Sequence, residues 1–89
     1  MKTIRLTIKG KVQGVFYRAT AKDVADQIGI KGWVKNLPDR NVEIRATASE
    51  ELLQKFFDWC KQGPPKAKVE DVIVEELGLQ EFNGFRIIR

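Results

Sequence analysis

Arg18 follows a short loop carrying two glycines, Gly10-Lys-Val-Gln-Gly14-Val-Phe-Tyr17, and stands where a helical pattern begins. Three kinds of donor converge at such a place. The first N–H groups of a helix lack partners, a glycine-bearing loop can turn successive amides inward, and a guanidinium offers a planar fork matched to phosphate oxygens. Together they describe an anion site. A cation at a helix start opposes the dipole by roughly a few tenths of a kcal/mol, so something else must favour Arg18. An ordinary two-glycine loop with a solvated arginine fits the same residues, and these residues alone leave both readings open. The second candidate is Asn36, which ends an extended stretch just before the turn Leu37-Pro-Asp-Arg-Asn41. It either starts that turn or faces whatever the loop binds.

What the chain lacks narrows the chemistry further. It has no histidine and one cysteine, Cys60. That excludes an internal disulfide, a Cys/His zinc site, and the Ser-His and Cys-His nucleophile pairs. The net charge of +4 and sequence pI near 9.4 favour an anionic partner, but the basic residues are interspersed with acidic ones, and most belong to a solvated surface.

The elements that must position Arg18 and Asn36 follow from periodicity. Ile4, Leu6 and Ile8 alternate with Thr3, Arg5, Thr7 and Lys9, the pattern of a strand with one buried face. Ala21, Val24, Ala25 and Ile28 share a helical face until Gly29 supplies a left-handed stop, so a helix is expected from about residue 18 to 28. Residues 32–36 and 42–47 make two strands around the turn, with Val42, Ile44 and Ala46 inward. Ser49 caps a second helix, in which Leu52, Leu53, Phe56, Trp59 and Cys60 recur at helical spacing up to Gly63-Pro64-Pro65. Residues 69–75, with Val72 and Val74 inward, and 82–88 supply the last strands. Phe56, Trp59, Cys60 and Phe82 are assigned to the core.

The order is βαββαβ with a terminal strand, an α+β class chain expected to form a ferredoxin-like sandwich with a mainly antiparallel sheet, two helices on one face and the other face wet. In that topology the first two strands run in the same direction two places apart, roughly 9–10 Å. The loop after the first strand and the residue ending the second, Asn36, then flank one small space.

The motifs as strings add a family. Gly10-Lys-Val-Gln-Gly-Val-Phe-Tyr-Arg18, then Gly32-Trp-Val-Lys-Asn36 followed by Val42-Glu43, then Gly63-Pro-Pro-Lys-Ala67-Lys-Val69 and a terminal Phe85-Arg-Ile-Ile resemble the acylphosphatase family in order and spacing over essentially the whole chain. The resemblance implies hydrolysis of the carboxyl-phosphate bond of acyl phosphates, with inorganic phosphate as a product and with neither a metal nor a cofactor expected. It implies a phosphate cradle formed by Lys11, Val12, Gln13, Gly14, Val15, Phe16 and Tyr17, with Arg18 as phosphate ligand and Asn36 orienting the water. Such a reaction suits a sparse site, because a carboxylate leaves without a general acid and phosphoryl transfer depends on positioning and charge stabilisation. Two positions depart from the family pattern. Asp39 is followed by Arg40 and Asn41 where Asp-Gly is common, so the turn needs another geometry or a non-glycine residue at positive φ. Tyr17 stands where phenylalanine is frequent, adding a hydroxyl with no assigned role.

Rival readings fail on particular residues. An RNA-recognition module needs stacking aromatics on the open faces of its central strands, where this chain has Thr3, Arg5, Thr7, Glu43, Arg45 and Thr47. A metal carrier of this fold needs a Cys-x-x-Cys pair. A non-catalytic regulatory domain is set aside only by the joint presence of Arg18 and Asn36. No apolar run reaches the ~18 residues of a membrane span, and the alternating start at Met1 reads as structure rather than a leader. The expectation is a single domain over residues 1–89, monomeric and cytoplasmic, binding neither nucleic acid nor membrane. Trp33 is assigned to the open face, partly exposed or covered by the chain end.

Overall fold

A computed structural model describes all residues, Met1–Arg89. The elements run β1 (Lys2–Lys11), α1 (Tyr17–Ile28), β2 (Lys31–Asn36), β3 (Val42–Ala48), α2 (Glu50–Gln62), β4 (Lys68–Leu77) and β5 (Phe85–Ile88). The sheet order is β4-β1-β3-β2-β5. Four strands pair antiparallel, while β5 lies parallel to β2, from Gly32 opposite Phe85 to Lys35 opposite Ile88. The sheet is therefore mixed, with the expected ferredoxin-like core of strands at its centre.

Both helices cover one face because each buries one stripe. α2 opens on Ser49, whose Oγ accepts from Leu52 N at 3.4 Å, carries Glu50 and Glu51 in its first turn, and turns Leu53, Phe56 and Cys60 inward. α1 presents Ala21 and Ala25, small enough to bring its axis close to the sheet, and ends at Gly29 in the left-handed region. Against them stand Ile4, Leu6 and Ile8 of β1, Val34 of β2 and Val42, Ile44 and Ala46 of β3, all part of one core cluster. Phe56 meets Phe85 edge-on at 5.9 Å and stacks with Trp59 at 6.2 Å.

The open face is not uniformly wet. The segment after β4 crosses its end, where Thr3 and Thr47 are buried. Their hydroxyls lie 2.6 Å apart, Gln80 N–H donates to Thr3 Oγ1 at 2.8 Å, and Thr47 Oγ1 donates to Gln80 O at 2.9 Å. Paired threonines thus tie down a chain segment whose own apolar content is low. Trp33 is half-buried on the same face, with Lys35 Nζ at 5.1 Å and the Arg45 guanidinium at 5.3 Å from its ring.

Three core assignments change. Phe82 precedes β5 and is only half-buried, because the chain is still crossing toward its strand there. Trp59 also packs on the rim of the core rather than within it. Of the two β4 valines assigned inward, Val72 is half-buried and Val74 is exposed, since α2 does not reach across the outer half of this edge strand. No helix is long and apolar enough to cross a membrane.

Candidate active site

β1 delivers the chain to Gly10, where a bulge shifts the register with β4 and φ is 125°. A Cβ at Gly10 would lie 2.1 Å from Lys68 O, so only glycine allows this approach. The chain then curls through residues 12–16, with Gly14 at φ 73° and Phe16 at φ 65°, and enters α1 at Tyr17. Val12 and Val15 anchor the curl in the core. No backbone N–H from Val12 to Ala19 is donated to a backbone carbonyl; the first such bond runs from Thr20 N to Phe16 O at 3.0 Å. No side chain caps the helix, and its first turn carries no acidic residue. A run of free amides at a left-handed kink and a helix start is an anion nest.

Two side chains fix this loop. Tyr17 is buried, and its hydroxyl donates to Cys60 O at 2.7 Å. Gln13 Nε2 donates to Leu37 O at 2.9 Å and Asn41 O at 2.8 Å, fastening the cradle to the turn after β2. That turn holds Arg40 at φ 74°, the non-glycine positive φ required by the absence of Asp-Gly. Asp39 stabilises it by accepting from Asn41 N and Nδ2, both at 3.1 Å.

Asn36 is the last residue of β2, on the same side as the buried Val34. It lines, with Val12, Gly14, Phe16, Tyr17, Arg18, Ala19, Ile87 and Arg89, a cavity of about 300 Å³. Arg18 is half-buried and forms no ion pair. Asn36 Oδ1 is shielded from solvent and accepts no hydrogen bond from the protein. A shielded acceptor without a donor costs about 1–3 kcal/mol, and a functional site is where such a cost is retained.

The acylphosphatase family model matches residues 4–87. The chain belongs to the acylphosphatase family. Among its relatives, an acylphosphatase from Acaryochloris marina is 45% identical over 86 residues, covering 97% of this chain and 92% of that protein. One from Methylococcus capsulatus is 41% identical over 90 residues, covering 100% and 98%. The crystal structure of an acylphosphatase from Bacillus subtilis superposes with a TM-score of 0.96 at 39% identity, covering both chains completely.

Of the residues that the acylphosphatase resemblance nominated, Val12, Gly14, Phe16, Tyr17, Arg18 and Asn36 meet at this cavity. Lys11 and Gln13 do not; with Arg40 they border a neighbouring depression, and the Gln13 amide is spent on the turn. Val15 is a core residue. The Tyr17 side chain belongs to the core as well, where burial foremost, then the adjoining Cys60, raises the hydroxyl well above the ordinary tyrosine range. Only the main chain of Tyr17 is therefore free to serve a cradle. Sequence reasoning missed Ile87 and Arg89, which reach the cavity because β5 adds in parallel beside β2. Placing the terminal strand next to β2 would have found them.

Proposed function

We propose that the protein hydrolyses the carboxyl-phosphate bond of acyl phosphates to carboxylate and inorganic phosphate by direct in-line attack of water. Arg18 and the free amides of residues 12–19 hold the phosphoryl oxygens and neutralise their charge as the bond to the leaving carboxylate lengthens. Asn36, on a different strand, orients the water, and the water's proton passes to the phosphoryl group. The observation that carries this reading is that Arg18 and Asn36, from separate elements, line one cavity together with unpaired cradle amides.

The scheme uses no metal. The cavity is lined by no acidic side chain, imidazole or thiol, so its donors suit an anion and not a cation. Arg18 supplies the charge that a metal supplies elsewhere. Nucleic acid is not part of the reading. On the open face Arg5 and Arg45 are engaged with Glu75 at 2.6 Å and Glu43 at 3.3 Å, and Trp33 is flanked by cations. The enzyme acts as a single monomeric domain in the cytoplasm.

Benzoyl phosphate hydrolysed in ¹⁸O-water tests the scheme. One ¹⁸O per inorganic phosphate and none in benzoate is expected, at a rate unchanged by EDTA and without an acid-stable phosphoprotein in quenched single turnovers. Label in benzoate would mean attack at carbon. A phosphoprotein on the reaction path, or a rate lost to EDTA and restored by magnesium, would overturn the direct, metal-free mechanism.

A further inference from the structure

An acyl phosphate has two ends, and the groups described so far address only the phosphate. Apart from Arg89, the remaining wall of the cavity is apolar, and Phe16 is its most exposed large side chain. This phenylalanine is 76% exposed, although Val15 before it and Tyr17 after it are both buried. Its backbone sits at φ 65°, ψ 23°, a left-handed conformation unfavourable for a bulky side chain. Thr20 holds it there, because both its N–H, at 3.0 Å, and its Oγ1, at 2.8 Å, donate to Phe16 O. A strained backbone that displays an aromatic ring to solvent at the rim of a site is retained where the ring has a use.

Of the other apolar lining residues, Val12 and Tyr17 are 1% exposed and offer almost no surface, whereas Ala19 is exposed and Ile87 half-buried. The accessible wall therefore divides into a polar zone, Arg18, Asn36 and Arg89, and an apolar zone, Phe16, Ala19 and Ile87. We propose that Phe16, backed by Ile87, is the platform for the acyl group and gives the enzyme a preference for acyl phosphates with an aromatic or bulky apolar acyl part. This inference rests on the acyl phosphate reading and adds its acyl-side specificity. An aryl ring gains by offset or edge contact with the phenyl and by shedding water from both surfaces, while a methyl group gains little.

The test is the ratio of kcat/KM for benzoyl phosphate to that for acetyl phosphate, in wild type, Phe16→Ala and Phe16→Tyr. The expected result is that Phe16→Ala lowers the ratio by on the order of tenfold, mainly through KM for benzoyl phosphate, and that Phe16→Tyr restores it. Equal losses on both substrates would make Phe16 a loop-shaping residue and overturn the proposal, as would an unchanged ratio. Wild type turning over neither compound would instead remove the acyl phosphate reading itself, and the platform with it.

Discussion

Arg18 is an unpaired guanidinium at an uncapped helix start, and both features would be penalties if nothing anionic arrived. In the proposed site its planar fork should matter more than its charge, since two parallel N–H donors can meet two phosphoryl oxygens. Arg18→Ala should therefore lower kcat/KM for benzoyl phosphate by about 10³-fold or more, and Arg18→Lys should recover little of it. Phosphate binding followed by calorimetry should weaken in both. Near-native turnover in Arg18→Lys would show that charge alone suffices. At Cys60, burial pushes the thiol up from 9.0 to about 12, and burial likewise raises the Tyr17 hydroxyl bonded to its carbonyl. Groups raised in the folded state contribute stability fully below their unfolded values and lose it as pH climbs above them. Melting temperature should thus hold up to about pH 9 and fall beyond it, more steeply than in Tyr17→Phe. A melting temperature flat to pH 11 would contradict this.

At the scale of elements, β2 carries Asn36, and its placement depends on Gly32. A Cβ at Gly32 would stand 1.8 Å from Arg45 O on β3, and its φ of 148° is one that side chains avoid. Gly32 N–H also donates to Gly84 O at 2.9 Å, linking β2 to the approach of β5. Gly32→Ala should cost about 3 kcal/mol or more and lower the melting temperature by ~10 °C or more. Activity should fall too, since β2 cannot shift without moving Asn36. A melting temperature within two or three degrees of wild type, roughly half a kcal/mol, would mean that the strands part easily at this point. This close approach was not legible in the sequence, because a glycine inside a strand pattern announces some special contact without naming its partner. β1, α1 and the β2–β3 hairpin were legible to within about two residues at each end, with Gly10 and Lys11 belonging to β1 and not to the loop, because each buries one face against a continuous core and so imposes a period of two or 3.6 on the residues. Val74 and Phe82 were misjudged for the complementary reason. On an edge strand and in a crossing segment, apolar residues carry no information about which neighbour will cover them.

At the scale of the whole molecule, the site is made by topology more than by any one segment. β1 and β2 run parallel with β3 between them, so the cradle after β1 and the last residue of β2 face each other over one cavity, and β5 closes it by pairing in parallel with β2. The first two contributions could be read from the chain order and from the family motifs together. The residues alone could not decide whether Arg18 was solvated or Asn36 a turn residue, since both depend on what stands opposite in space. The third contribution, with Ile87 and Arg89, needed the structure, because nothing in a four-residue strand states which edge it joins. In the proposed reaction the same arrangement would separate two tasks, with the phosphoryl group held on one side of the cavity by Arg18 and the amides, and the water placed from the other by Asn36.

The Asn36→Ala variant separates the two sides of the cavity. Because the shielded Oδ1 has no protein donor to lose, its removal should leave the melting temperature at or slightly above that of wild type. The measurement is kcat for benzoyl phosphate beside the inhibition constant of inorganic phosphate. Both kcat and kcat/KM should fall by similar factors, on the order of 10²-fold or more, with the inhibition constant close to wild type. A strongly raised inhibition constant with kcat intact would make Asn36 a phosphate ligand and rule out its placing of the water.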